Sequence, residues 1–142
     1  MDPRGNALKR HATHMLQFRP GADVSLLNAI MNVIVEEKLY DKEFVEKYSA
    51  GFDRLAERVK EYPPSRAAET TWVPEQTIRE MARLYATTKP ACMLWGNGLD
   101  QSPNCFQTAR ALMILRAVTG NIDVPGGDVF WVPPENVFQT SP

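Results

Sequence analysis

A chain of 142 residues with 44% hydrophobic content can bury one ordinary domain core. Its 16 basic and 17 acidic residues leave a net charge of -1, without the basic excess that meets nucleic-acid phosphates or anionic lipid headgroups. No stretch approaches the ~20 apolar residues of a membrane span, so neither a nucleic-acid partner nor membrane contact by this segment is expected.

Cys92 and Cys105 are the two cysteines, and their spacing fits no zinc or iron–sulfur pattern. Two free thiols lean towards a reducing compartment. The opening residues carry no apolar targeting run, which leaves cytoplasmic and periplasmic placement in a prokaryote both open.

In chain order, His14 to Phe18 reads as a short strand closed by a turn at Arg19-Pro20-Gly21. A helix is expected from about Val24, with Asp23 as its N-cap and Leu27, Ile30, Met31 and Ile34 at helical spacing as far as Lys38. Val24, Leu26 and Val33 lie off that stripe, which predicts burial on more than one side. Asp41 should cap a second helix over Lys42 to Tyr48. Gly51 separates a third, with Phe52, Leu55, Ala56 and Val59 as its face and Pro63-Pro64 as its stop. Pro74 is placed at the first position of a further helix, whose face is Ile78, Met81, Ala82 and Tyr85. Lys89-Pro90 breaks the chain before an apolar run, Ala91 to Trp95, read as a buried strand. A last helix should begin at Ser102 or Asn104, with Pro103 in its first turn, and run to about Val118 with Gly120 beyond its end. The tail reads as a loop containing one further candidate strand, Val129 to Val132. The order is strand, helices, strand, helix: α/β with helix dominant, whose few short strands expect further neighbours.

Three segments could carry chemistry. In Arg19-Pro20-Gly21-Ala22-Asp23, Gly21 allows close backbone approach, and the following helix start offers unpaired N–H groups and partial positive charge. The Asp23 carboxylate can accept the parallel N1–H and N2–H bonds of guanine. In Trp95-Gly96-Asn97-Gly98-Leu99-Asp100-Gln101, a strand end leads through glycines to a helix, where α/β proteins place ligands. The amides of Asn97 and Gln101 suit a polar heterocycle. Gln101 occupies the third-glycine position, so this is not the dinucleotide fingerprint. Asp2-Pro3-Arg4 would be a ligand position if a strand preceded it. Each segment also reads as an ordinary turn and cap. His11 and His14 could share a helix face, but no nearby acidic or Cys partner supports a metal. No catalytic residue or metal ligand is assigned.

Together these segments resemble the large molybdopterin oxidoreductases that use a bis(molybdopterin guanine dinucleotide) cofactor. The likeness rests on Asp2-Pro3-Arg4, Arg19 to Asp23, Glu36 to Val45, Val73-Pro74, Ile78-Arg79, Ala82 to Ala86, Trp95 to Gly98, and Thr119 through Gly127, in order and at similar spacing. The resemblance implies a partial molybdopterin-guanine-dinucleotide-binding domain over residues 1–142 of a larger enzyme. The expected fold class is a helix-rich α/β fragment of a Rossmann-like cofactor-binding domain. It places Asp2, Gly21 and Asp23 at the guanosine end, Asn97 and Gln101 nearer the pterin and its molybdenum or tungsten, and counts Arg4 among the cofactor-binding residues. Ala22 stands where Thr or Ser is frequent, and Asn97 where Met is frequent. The family's catalytic Cys, selenocysteine or Ser, and its iron–sulfur motif where present, lie upstream of the Asp-Pro-Arg turn. The segment alone is therefore expected to be inactive. Implied partners are the remaining domains of the parent enzyme and an electron-transfer subunit. Two alternatives stay open: a segment of a non-redox, acetylene-hydratase-like enzyme, and a stand-alone helical interaction module.

Overall fold

The structure, a computed structural model, describes residues 1–129. After a 3-10 turn at Ala7–Arg10 come α1 (Asp23–Glu36), α2 (Lys42–Tyr48), α3 (Phe52–Val59), α4 (Pro64–Thr71), α5 (Glu75–Thr87), the single turn α6 (Asn97–Asp100) and α7 (Cys105–Val118). Helix α1 is the hub and packs against α3, α4, α5 and α7. Its Leu26, Leu27, Ile30, Met31, Val33 and Ile34 are all buried, as expected of a helix apolar on several faces. At its end Lys38 adopts φ 56°. This lets the Leu39 N–H reach the Ile34 carbonyl at 2.8 Å and the Lys38 N–H reach that of Val35 at 3.2 Å, closing two orphan carbonyls of the last turn. Glu37 then accepts two hydrogen bonds from the Arg83 guanidinium, at 2.8 and 2.7 Å, tying α1 to α5.

The start of α1 differs from expectation. Ala22, not Asp23, holds the N-cap, and no side chain caps the helix. The cause is the preceding turn: the Ala22 N–H donates to the Arg19 carbonyl at 3.1 Å, winding the chain one residue early. Asp23 becomes the first helical residue. Pro74 likewise serves as N-cap of α5 rather than as its first residue.

Pro63-Pro64 does stop α3, but Pro64 also opens α4 at a position where a missing N–H costs nothing. No apolar stripe in Pro64–Thr71 announces that helix. Pro103 falls outside α7, whose N-cap is Asn104.

Neither expected strand forms a ladder. Among the described residues the pairing is a single bridge between Ile122 and Asp128. Residues 14–18 keep a period of two, with Leu16 and Phe18 buried and Gln17 exposed. Their main-chain partner is the Asp2 N–H, 3.1 Å from the Leu16 carbonyl. Residues 91–95 are not buried: Leu94 is 94% exposed and Trp95 43%. An apolar run reports affinity for a sheet, but the sheet itself needs distant partners. Of the tail, Val129 is exposed and pairs with no described residue, and the rest of the Val129–Val132 expectation lies outside the described residues.

Asp41 and Gly120 join three junctions. The Asp41 carboxylate accepts the Phe44 N–H at 3.0 Å, capping α2, and pairs with the Lys89 ammonium at 2.6 Å. Those bonds, Lys89 first, hold its carboxyl below the ordinary 3.8. A group with a depressed folded pKa adds stability above its unfolded value and loses it as pH falls through the folded one. Urea titrations of Asp41→Ala against the unaltered protein should therefore differ by about 1–2 kcal/mol at neutral pH. The difference should shrink below pH ~4.

Gly120 closes α7 at φ +66°, and a Cβ there would lie 2.5 Å from Asp41 Oδ2. Gly120→Ala combines left-handed backbone with that clash, and should lower unfolding stability by about 1–3 kcal/mol or more. A midpoint unchanged from the parent would show that the junction relaxes freely.

Candidate functional site

The N-terminal turn is built around Asp2. Its Oδ1 accepts the Arg4 N–H at 2.7 Å and its Oδ2 accepts from Asn6 Nδ2 at 3.0 Å. These bonds, led by that of the Arg4 backbone, hold its carboxyl below the ordinary range. Both oxygens thus serve the turn itself, while the Arg4 side chain is exposed. The turn is fastened beside residues 16–17, where Gln17 Nε2 donates to the Pro3 carbonyl at 3.3 Å.

The same extended segment runs on to Arg19, whose N–H donates to the Thr71 carbonyl at 2.9 Å and whose guanidinium lies 5.9 Å from the Trp72 ring centroid. Gly21 then adopts φ +80°, with no atom within 4 Å of where a Cβ would stand. Conformation, not crowding, calls for glycine here, and the face it presents is open. Immediately after it, α1 begins with no side-chain cap, so first-turn N–H groups remain available. Half-buried Asp23 accepts no hydrogen bond among the described residues. The Ala22 position is where a Ser or Thr hydroxyl would otherwise satisfy one of those N–H groups.

The third segment is a compact turn. The Leu99 N–H bonds to the Gly96 carbonyl and the Gln101 N–H to that of Asn97, each at 2.9 Å. Asn97 and Gln101 are exposed, and their amides have no partner among the described residues. No hydrogen bond or ion pair among these residues joins this turn to Asp2, Arg4, Gly21 or Asp23. The structure thus brings the Asp-Pro-Arg turn alongside the segment leading to Gly21, and leaves the Asn97–Gln101 turn separate, resting on α7.

Sequence reasoning overlooked what holds that third segment. Arg116 is 7% exposed on α7. It donates from Nη2 to the Met93 carbonyl at 2.8 Å, lies 4.4 Å from the Trp95 ring centroid, and sets Nε 2.9 Å from Asp128 Oδ2. That last approach is off the N–H axis, an ion pair rather than an aligned hydrogen bond. The Asp128 carboxylate in turn accepts the Met93 N–H, 3.2 Å from each oxygen. Asn121 Oδ1 accepts the Ala91 N–H at 3.1 Å. Nearby, burial pushes the Tyr85 hydroxyl pKa up, and the group stays neutral. The available signal was an arginine inside the apolar run Leu112 to Val118. A separate cleft of ≈ 680 Å³ between α1, α3 and α7 is lined by Val24, Phe52, Arg54 and Arg110 among others, but by none of the predicted site residues.

The donor set can be tested against a pterin-linked guanine nucleotide. An open glycine face, uncapped helix N–H groups, and a carboxylate and two amides without partners among the described residues fit such a group. Asp2 fits less directly, because both its oxygens are engaged. The sequence profile of the molybdopterin oxidoreductase family matches residues 1–139. The chain belongs to that family.

Among its relatives, acetylene hydratase of Syntrophotalea acetylenica is 38% identical over 141 residues, 99% of this chain and 19% of that protein. Formate dehydrogenase H of Escherichia coli (strain K12) is 38% identical over 138 residues, 97% of this chain and 19% of that one. Among solved structures, acetylene hydratase from Pelobacter acetylenicus superposes with a TM-score of 0.81 at 42% identity, covering 84% of this chain and 16% of that chain. The chain thus spans about a fifth of the length of these family members. Membership implies a molybdopterin cofactor carrying molybdenum or tungsten in the parent enzyme.

Proposed function

We propose that residues 1–142 are part of a Rossmann-like domain that positions a molybdopterin guanine dinucleotide in a molybdenum- or tungsten-dependent oxidoreductase. The observation that carries this reading is the start of α1. There an open Gly21, an uncapped helix and a half-buried Asp23 that accepts no hydrogen bond among the described residues coincide. Asp23 would accept the N1–H and N2–H of guanine, and the free N–H groups of the first turn would receive anionic or carbonyl oxygens. The Asp2 turn and Arg4 would border the guanosine. Asn97 and Gln101 would meet the pterin nearer the metal. When bound, the cofactor supplies the redox or Lewis-acid chemistry, and this chain's residues bind and orient it.

Metal and pterin analysis of the intact enzyme tests the class. One metal atom with two guanine-bearing pterins is expected, and absence of both after anaerobic purification would overturn it. Within that test, Asp23→Ala should weaken retention of the guanine nucleotide by about 10- to 100-fold, since a bidentate charge-assisted pair contributes on the order of 1.5–3 kcal/mol. Unchanged occupancy would remove Asp23 from the site.

A second reading, an enzyme whose metal activates water without net redox, is favoured by the likeness to acetylene hydratase. Turnover of acetylene without an electron acceptor would separate it from the first.

A further inference from the structure

Trp72 stands where a glycine would be at ease. It ends α4 with φ 65° and ψ 10°, in the left-handed region, while its N–H still bonds to the Ala68 carbonyl at 3.0 Å. Helices that stop this way usually do so on glycine, because a Cβ is strained there. Asp123 shares the region, but aspartate tolerates it and a bulky aromatic does not. Burial gives little in return, since Trp72 is 68% exposed. Thr71 and Val73 are buried on either side of it, so the indole is turned outward from an anchored backbone. Strain of this kind persists where function requires the side chain it presents.

The place of this residue is as informative as its conformation. The Arg19 N–H donates to the Thr71 carbonyl at 2.9 Å, and Ser25 Oγ lies 3.2 Å from Thr70 Oγ1. Those two contacts bracket Gly21 and Asp23, so the end of α4 lies along the turn that opens α1. The Arg19 guanidinium faces the indole at 5.9 Å from its centroid, and most of the remaining ring surface meets solvent.

We propose that Trp72 stacks on the guanine ring of the cofactor, as a further binding residue at the guanosine end. The inference rests on the reading of Asp23 as the guanine acceptor. A carboxylate grips only the edge of a purine, through two in-plane hydrogen bonds for which water competes. An indole laid against the face of the same ring removes apolar surface from water and fixes the ring's tilt. Glycine at position 72 would relieve the backbone but offer no such face. The edge contact selects guanine, and the face contact retains it.

Trp72→Gly in the intact enzyme separates binding from folding, because the two should move in opposite directions. The unfolding midpoint of the cofactor-free full-length protein should hold or rise, as the left-handed strain is relieved. Guanine-bearing pterin should leave the holoenzyme roughly 5- to 150-fold faster, as measured by gel filtration over time. Trp72→Phe, which keeps an aromatic face, should restore most of the retention, and Trp72→Leu should not. Release unchanged in Trp72→Gly would overturn the proposal, and a lowered midpoint alongside it would assign the ring to packing against the rest of the enzyme. Equal release from the Phe and Leu variants would overturn it too, whatever the midpoint. Asp23→Ala tells the two readings apart. If it quickens release and Trp72→Gly does not, only the stacking fails; if neither does, the guanine reading itself fails.

Discussion

Asp128→Ala should cost about 3–5 kcal/mol of unfolding free energy, because it strands a buried cation. Arg116 is 7% exposed, and the Asp128 side chain beside it is 14% exposed. With the carboxylate gone, the guanidinium keeps a carbonyl, the Met113 sulfur and an aromatic face, none of which neutralises a full charge at that depth. The Met93 N–H loses its acceptor as well. Arg116→Met combined with Asp128→Leu removes both charges, and should recover much of the loss by replacing the pair with apolar volume. Urea unfolding of the two variants decides it. A single-variant loss under about 1 kcal/mol would mean that the guanidinium reaches water when unpaired.

Ile30→Ala should cost a comparable amount, about 2–5 kcal/mol. Ile30 is 1% exposed in the middle of α1, the helix that four others share. Truncating it leaves a void that four helices would have to shift together to close. Leu84, also aliphatic and helical but 39% exposed, is the control: Leu84→Ala should change stability by about 0.5 kcal/mol or less. Equal losses at the two positions would show that α1 is not the structural centre.

Much of this fold is legible in the sequence where the signal is local. Apolar periodicity marks α1 and α5, Pro103 and Gly120 bracket α7, Asp41 marks α2, and Gly51 separates α2 from α3. Helix α4 escapes because Pro64–Thr71 has no apolar stripe, and its opening proline reads first as a stop. The two apolar runs, 14–18 and 91–95, show a taste for sheet, but a ladder is non-local and the described residues do not complete one. At the candidate site, Gly21 and Asp23 stand out because a helix start has a grammar. Arg116, Asn121 and Asp128 do not, since nothing local connects α7 and its following loop to residues 91–93.

The loop that follows α7 has a bearing on folding order. Gly120 turns the chain, and the Asp128 N–H returns to the Asn121 carbonyl at 2.9 Å. The Asp123 N–H meets the Asp128 carbonyl at 2.7 Å, and the Gly127 N–H that of Val124 at 2.9 Å. All of these contacts are close in sequence, so the loop closes at little entropic expense. Ala91, by contrast, binds its acceptor across 30 residues. Helix α7 and its loop can therefore be in place first, as a preformed receptor with its carboxylate and amide already aimed. The 91–95 segment, whose contacts span 23 to 35 residues, is then expected to dock onto it afterwards.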